Sequence, residues 1–154
     1  MEQNVMIRKV AESDREIFTS MVDEFYHSPA VLHAIPLKNI QNTFDQLCKH
    51  SPFADAYLFE CDGNPAGYAL LAITYSNEAG GPVLWIEEVY ILPAFQGRGI
   101  GSTFFRFLEE TLAPNFARVR LEVEQDNQGA IQLYKKLNFE VLDYLQMYRD
   151  IQVP

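Results

Sequence analysis

The chain has 154 residues, 48% of them apolar, which suits one domain around one core and argues against a second. Its 21 acidic residues against 12 Lys and Arg give a formal charge of −9, which argues against a nucleic-acid partner because neutralising phosphates takes clustered basic side chains. Cys48 and Cys61 show neither CxxC nor Cys/His spacing, no stretch has the layout of a signal peptide, and no apolar run approaches the ~18 residues that cross a bilayer; no disulfide, metal site or membrane partner is expected, and the setting expected is cytoplasmic.

Residues 5–10 (VMIRKV) alternate apolar and polar side chains and predict a first strand. The run ESDREIFTSMVDEFY then carries Ile17, Met21, Val22 and Phe25 at helical period, with Ser13 and Glu16 offering a capping box. Pro29 and Pro36 bracket a loop. LKNIQNTFDQLCKH resumes the helical pattern through Leu37, Ile40, Phe44, Leu47 and Cys48. AYLFEC, DGNP and AGYALLAITY together predict a hairpin whose Asp62 and Gly63 supply the positive φ of a tight turn. After a second turn, SNEAGGP, comes the aromatic and β-branched strand VLWIEEVYIL. GIGSTFFRFLEETL predicts a helix over 100–112, ended by Pro114; ARVRLEVE a strand, NQGAIQLYKKL a helix, and FEVLDYLQMY a last strand.

The order β-α-α-β-β-β-α-β-α-β predicts an α+β fold filling one domain, 1–154. Strands 83–91 and 118–124 become candidates for parallel neighbours joined by a right-handed crossover. Ligands in such sheets bind at the carboxyl ends of strands, where neighbours part, and there the chain reads ILPAFQGRGIG. Ser102 stands where a dinucleotide fingerprint needs its third glycine, and the lysine of a triphosphate loop is missing. The shared physics survives: glycines let the backbone approach an anion, and the first N–H groups of the following helix point at it.

The composite L-P-x-x-Q-x-x-G-x-G, from Leu92 to Gly101, resembles the acyl-CoA-binding motif of the GNAT family of N-acetyltransferases. A second stretch, NQGAIQLYKKLNF from Asn127 to Phe139, resembles that family's N-x-x-A-x-x-L-Y-x-x-x-G-F segment. Asn138 replaces its glycine, a mild change because asparagine also tolerates the left-handed conformation that closes a helix. The resemblance implies a splayed parallel strand pair holding acetyl-CoA as co-substrate. Its pyrophosphate would lie on Gln96, Gly97, Arg98, Gly99, Ile100, Gly101 and Ser102, and its pantetheine arm along the backbone of Val89, Tyr90 and Ile91, with Asn127 near that arm. A homodimer is expected on the same likeness.

Aminolysis of a thioester needs a neutral amine, a stabilised oxyanion and a proton for the leaving thiolate. An alkylamine with a pKa near ~10 is protonated at neutral pH, so a general base is useful. Glu87 and Glu88 interrupt an apolar strand. Alternation sends them to opposite faces unless a bulge intervenes. Glu87, nine residues before Gln96, matches the spacing of the glutamate in the family's polyamine acetyltransferases and is the preferred base, with Glu122 its rival and Glu88 left open. Tyr134 matches the family tyrosine that protonates the thiolate, and a backbone N–H near Val89 and Tyr90 would meet the oxyanion. Tyr26, His33, Tyr75, Glu78 and Tyr90 are candidates for the acceptor side. A small cationic amine or polyamine is the first expectation for the acceptor; a protein N-terminus or lysine, or a non-catalytic acyl-CoA-binding module, are the alternatives. Cys48 and Cys61 read as packing residues rather than a covalent acetyl carrier.

Overall fold

A computed structural model describes residues 2–151. Two compact units follow one another along it, the first ending at Glu122 and the second beginning at Val123. The first contains β1 (Val5–Lys9), α1 (Arg15–Tyr26), α2 (Leu37–Cys48), β2 (Ala54–Cys61), β3 (Asn64–Ser76), β4 (Gly81–Ile91), α3 (Ile100–Phe107) and β5 (Arg118–Leu121). These strands form one sheet in the order β1-β2-β3-β4-β5, antiparallel up to β4 and parallel between β4 and β5. At the β2–β3 turn Asp62 and Gly63 take φ of +51° and +81°, the pair of left-handed residues that a two-residue hairpin of the right twist requires.

Both faces of the sheet are covered, which explains why β2 reads as an almost unbroken apolar run. Ala56 and Leu58 meet Phe18, Met21, Val22 and Phe25 of α1 and Ile40 and Phe44 of α2, while Tyr57 and Phe59 turn the other way onto Phe107 and Phe104 of α3. Each buried phenylalanine contributes roughly 2–3 kcal/mol by leaving water. The α1 stripe begins at Phe18; Ile17 is 40% exposed. Ser13 and Glu16 do not form the expected box. Buried Asp14 does the work instead, its carboxylate accepting the Ala11 N–H at 2.7 Å and both arms of Arg8 at 2.8 and 2.9 Å. The third helical run reaches Leu112 as expected, but α3 widens into a π-helical stretch over Leu108–Leu112 before the turn holding Pro114.

In the second unit α4 (Gln128–Lys136) is capped at both ends by its own sequence. Asn127 Oδ1 accepts the Ala130 N–H at 3.2 Å. Asn138 takes φ +67°, its N–H bonds Lys135 O, and the Phe139 N–H bonds Tyr134 O, the Schellman closure for which asparagine substitutes for glycine. The rings of Tyr134 and Phe139 meet at 5.8 Å across that closure. Residues 139–151 form no strand, contrary to the sequence expectation.

Candidate active site

The parallel ladder between β4 and β5 runs from Val83 and Arg118 to Ile86 and Leu121 and stops there. Beyond it, Val89, Tyr90 and Ile91 pair with β3, opposite Ala69, Tyr68 and Gly67, and among the described residues have no strand partner on the β5 side. The outer backbone edge of this end of β4 is thus released from β5, as a ligand that pairs with a strand requires.

The glycine turn follows directly. Gln96 Nε2 donates to Ile91 O at 3.1 Å and ties the turn to the end of β4. Gly97 and Gly99 take φ of +75° and +77°, so backbone conformation demands glycine at both. Gly101 has no such φ, and a Cβ built there would find no protein atom within 4 Å. Neither strain nor packing accounts for that glycine. Thr103 is the first residue of α3 whose N–H bonds back to Gly99 O, leaving the N–H groups before it as the unpaired donors of a helix start. The Arg98 guanidinium lies 5.2 Å from the centre of the Phe95 ring. The donor set, cationic side chain and open ground in front of Gly101 fit a diphosphate.

A bulge sits where the ladder ends. Leu71 pairs with Ile86 and Leu70 with Glu88, leaving Glu87 as the extra residue. Ile86 and Glu88 therefore lie on opposite faces. Glu88 joins the α1 face and is 9% exposed; Tyr26 OH donates to its Oε2 at 2.5 Å and Tyr68 OH to its Oε1 at 2.8 Å. Burial pushes the Glu88 carboxyl above the usual range, against the pull of both hydroxyls. Burial and the Glu88 carboxylate hold the Tyr26 phenol well above its ordinary value, and Tyr68 likewise. Glu87 is exposed at the opening, and its carboxyl is raised by partial desolvation first, then by the charges of Glu122 and Glu88. That is the direction a general base needs.

Tyr26 and Tyr90 lie together at the end of α1, with Tyr90 OH donating to Glu24 at 3.0 Å. Tyr75 pairs with Pro82, eight residues along β4 from Tyr90 and so roughly 25 Å away. Glu78 bonds Arg118 at 3.0 Å, in the turn before β4. The five expected acceptor-side residues therefore do not share one lining. His33 lies exposed on the loop between α1 and α2. Tyr134 is partly buried, which raises its phenol, and Asn127 caps α4. Sequence reasoning missed Tyr68 as a partner of Glu88; the only signal was a tyrosine in an apolar strand, a residue that keeps a polar handle when buried. Among the described residues no group of His, Cys, Asp and Glu could hold a metal ion, and no helix is long and apolar enough to cross a membrane.

A mixed sheet whose parallel pair opens beside a glycine turn at a helix mouth is the architecture of an N-acetyltransferase. The chain belongs to the acetyltransferase (GNAT) family, whose profile matches residues 14–139. It is 34% identical over 101 residues to an uncharacterised N-acetyltransferase of Methanocaldococcus jannaschii, a match covering 62% of this chain and 45% of that protein. It is 27% identical over 145 residues to the thialysine N-epsilon-acetyltransferase of Mus musculus, covering 88% of this chain and 84% of the mouse enzyme. Among solved structures, a possible acetyltransferase from Clostridium difficile superposes with a TM-score of 0.82 at 17% identity, over 97% of this chain and 99% of that one. An aminoglycoside N-acetyltransferase in complex with CoA superposes with a TM-score of 0.78 at 16% identity, over 97% of each chain.

Proposed function

We propose that this enzyme transfers the acetyl group of acetyl-CoA directly to a primary amine of a small cationic molecule or polyamine within a ternary complex. The observation that carries the reading is the end of the β4–β5 ladder at Ile86 and Leu121, with the extra Glu87 beside it and, nine residues after that glutamate, the glycine turn that starts at Gln96. Gln96 to Ser102 would hold the diphosphate, and Val89, Tyr90 and Ile91 would pair with the pantetheine arm. Asn127 commits its Oδ1 to the α4 cap, so a contact to that arm falls to its Nδ2.

Acetyl-CoA supplies an activated carbonyl and a thiolate leaving group, so that one C–N bond forms as one C–S bond breaks. Glu87 accepts a proton from the amine. A backbone N–H near Val89 and Tyr90 meets the developing oxyanion, worth about 3 kcal/mol when well aimed. Tyr134 gives its proton to the thiolate, a role that rests on its position in the second motif; its raised phenol keeps that proton available across the physiological range. A net charge of −9 favours a cationic acceptor, and the mouse relative is named for a small amine.

A cytoplasmic homodimer belongs to the same reading and is tested by light scattering and fractionation. The acceptor is tested by thiol release from acetyl-CoA over a panel of thialysine, lysine, polyamines, aminoglycosides and an alanine-terminated peptide. Turnover with the small amines and none with the peptide is expected. The reverse pattern would transfer the function to protein termini, and CoA binding without turnover on any amine would leave a binding module.

A further inference from the structure

Glu88 costs this fold something, because a carboxylate in a covered position loses its hydration and must be compensated. The compensation is specific. One hydroxyl comes from Tyr26, the last residue of α1, and the other from Tyr68 in the neighbouring strand, so three elements meet on one carboxylate. A second bond crosses the first in the opposite sense: Tyr90 of β4 donates to Glu24 of α1. Glu88 is also the residue at which β4 resumes its pairing with β3 after the extra Glu87.

We propose that Glu88 is a positioning residue for acetyl transfer: clamped by Tyr26 and Tyr68, it fixes the bulge that turns Glu87 out at the opening between β4 and β5. This role rests on Glu87 being the base. A regular strand would place residues 86 and 88 on one face and let the ladder continue; the clamp on Glu88 holds the backbone in the other arrangement. The titratable groups facing Glu87 are Glu122 and Glu88, both of which raise its carboxyl, and Tyr26 lies within reach of its charge. Facing Glu88 are Tyr26 and Tyr68, with Tyr90 close to Tyr68 and paired to Glu24. Glu88 thus acts on Glu87 through both backbone and charge.

The test is the pH dependence of kcat and kcat/KM of the full chain, with acetyl-CoA and the best amine of the panel, for wild type, E87Q, E88Q, E88D and Y26F. E88Q keeps the shape of the side chain and removes the charge. The expected result is a loss of at least about tenfold in kcat, an acid limb moved to lower pH, and an unchanged KM for acetyl-CoA. E88D is expected to recover part of the kcat and the wild-type limb. Should E88Q yield too little folded protein, Y26F takes its place: it removes one donor while leaving Glu88 and Tyr68, and a fall in kcat at constant acetyl-CoA KM supports the role. Wild-type kcat and pH profile in E88Q, or in Y26F standing for it, overturn the proposal. E87Q separates the two ideas. An acid limb that vanishes in E87Q while E88Q matches wild type removes Glu88 alone, whereas a limb that persists in E87Q removes Glu87 as base and this proposal with it.

Discussion

Glu87 and Glu122 each follow directly on Ile86 and Leu121, the last bonded pair of β4 and β5, and lie close enough for their charges to interact. Partial loss of water raises the Glu87 carboxyl most, and the like charge of Glu122 adds to it. Glu87→Gln is expected to lower kcat by about 10² or more with little change in KM for acetyl-CoA, and to abolish the acid limb of the rate profile. In Glu122→Gln the limb persists but moves to lower pH, since removing a neighbouring negative charge makes Glu87 easier to ionise. A stopped-flow or thiol-release pH series checks both, and a limb lost in Glu122→Gln with Glu87→Gln unaffected would exchange the two roles.

The glycines of the turn separate a conformational requirement from a ligand requirement. Gly99→Ala places a side chain at φ +77° and is expected to cost about 1–2 kcal/mol of stability. Gly101→Ala meets no protein atom and no strain, so its melting temperature should stay level or rise. If a diphosphate lies there, the same methyl group weakens CoA binding by tenfold or more. Calorimetric titration with CoA alongside thermal melts reads the difference.

Gly67 is the opposite case. A Cβ there would sit 2.2 Å from the Tyr90 carbonyl oxygen, a backbone atom that can move only with β4. Gly67→Ala is therefore expected to lose at least about 2 kcal/mol in denaturant titration. It should also disturb the strand end assigned to the pantetheine arm, which raises the KM for acetyl-CoA in whatever fraction folds.

Asp14 carries a pH-dependent share of stability. Hydrogen bonds from Arg8 lower its carboxyl, working against burial and helped by the Ala11 N–H. A folded-state value below the unfolded one, near ~3.9, means that the contribution is complete above that pH and is lost as pH falls through the folded value. Asp14→Asn is expected to cost about 2–3 kcal/mol at pH 7, with the gap to wild type shrinking as the solution is acidified from pH 4 toward 2. Unfolding curves at stepped pH supply the check.

Tyr134→Phe is expected to reduce kcat by about tenfold to a hundredfold without changing the KM for acetyl-CoA. The raised phenol predicts no basic limb from this residue below its ordinary value near ~10. Equal losses in binding and turnover would instead mark the ring as packing, a role its contact with Phe139 also suits.

Local chemistry was readable wherever a single residue type decides it. Asp62-Gly63, the left-handed glycines of the turn and Asn138 each announce their backbone, and each adopts it. The parallel pairing of β4 with β5 followed from one strand-helix-strand order. Features that depend on partners distant in the chain were not readable. Glu88 and Tyr26 lie 62 positions apart, so nothing near either residue announces the bond. The bulge exists only as a mismatch between two strands, and Gly67 is required by the Tyr90 carbonyl across the ladder. The expected last strand is another such case: a run of apolar residues suits a strand, but whether it becomes one depends on a neighbour to pair with, and residues 139–151 form none.

Because Leu70 and Leu71 already pair with Glu88 and Ile86, residue 87 is surplus to the sheet. Excising it would close the ladder while leaving every other side chain of β4 on its present face. The scaffold and the proton acceptor proposed for it are thus separable by the deletion of one amino acid, and a chain of 153 residues is expected to fold and bind CoA while leaving the amine unacetylated.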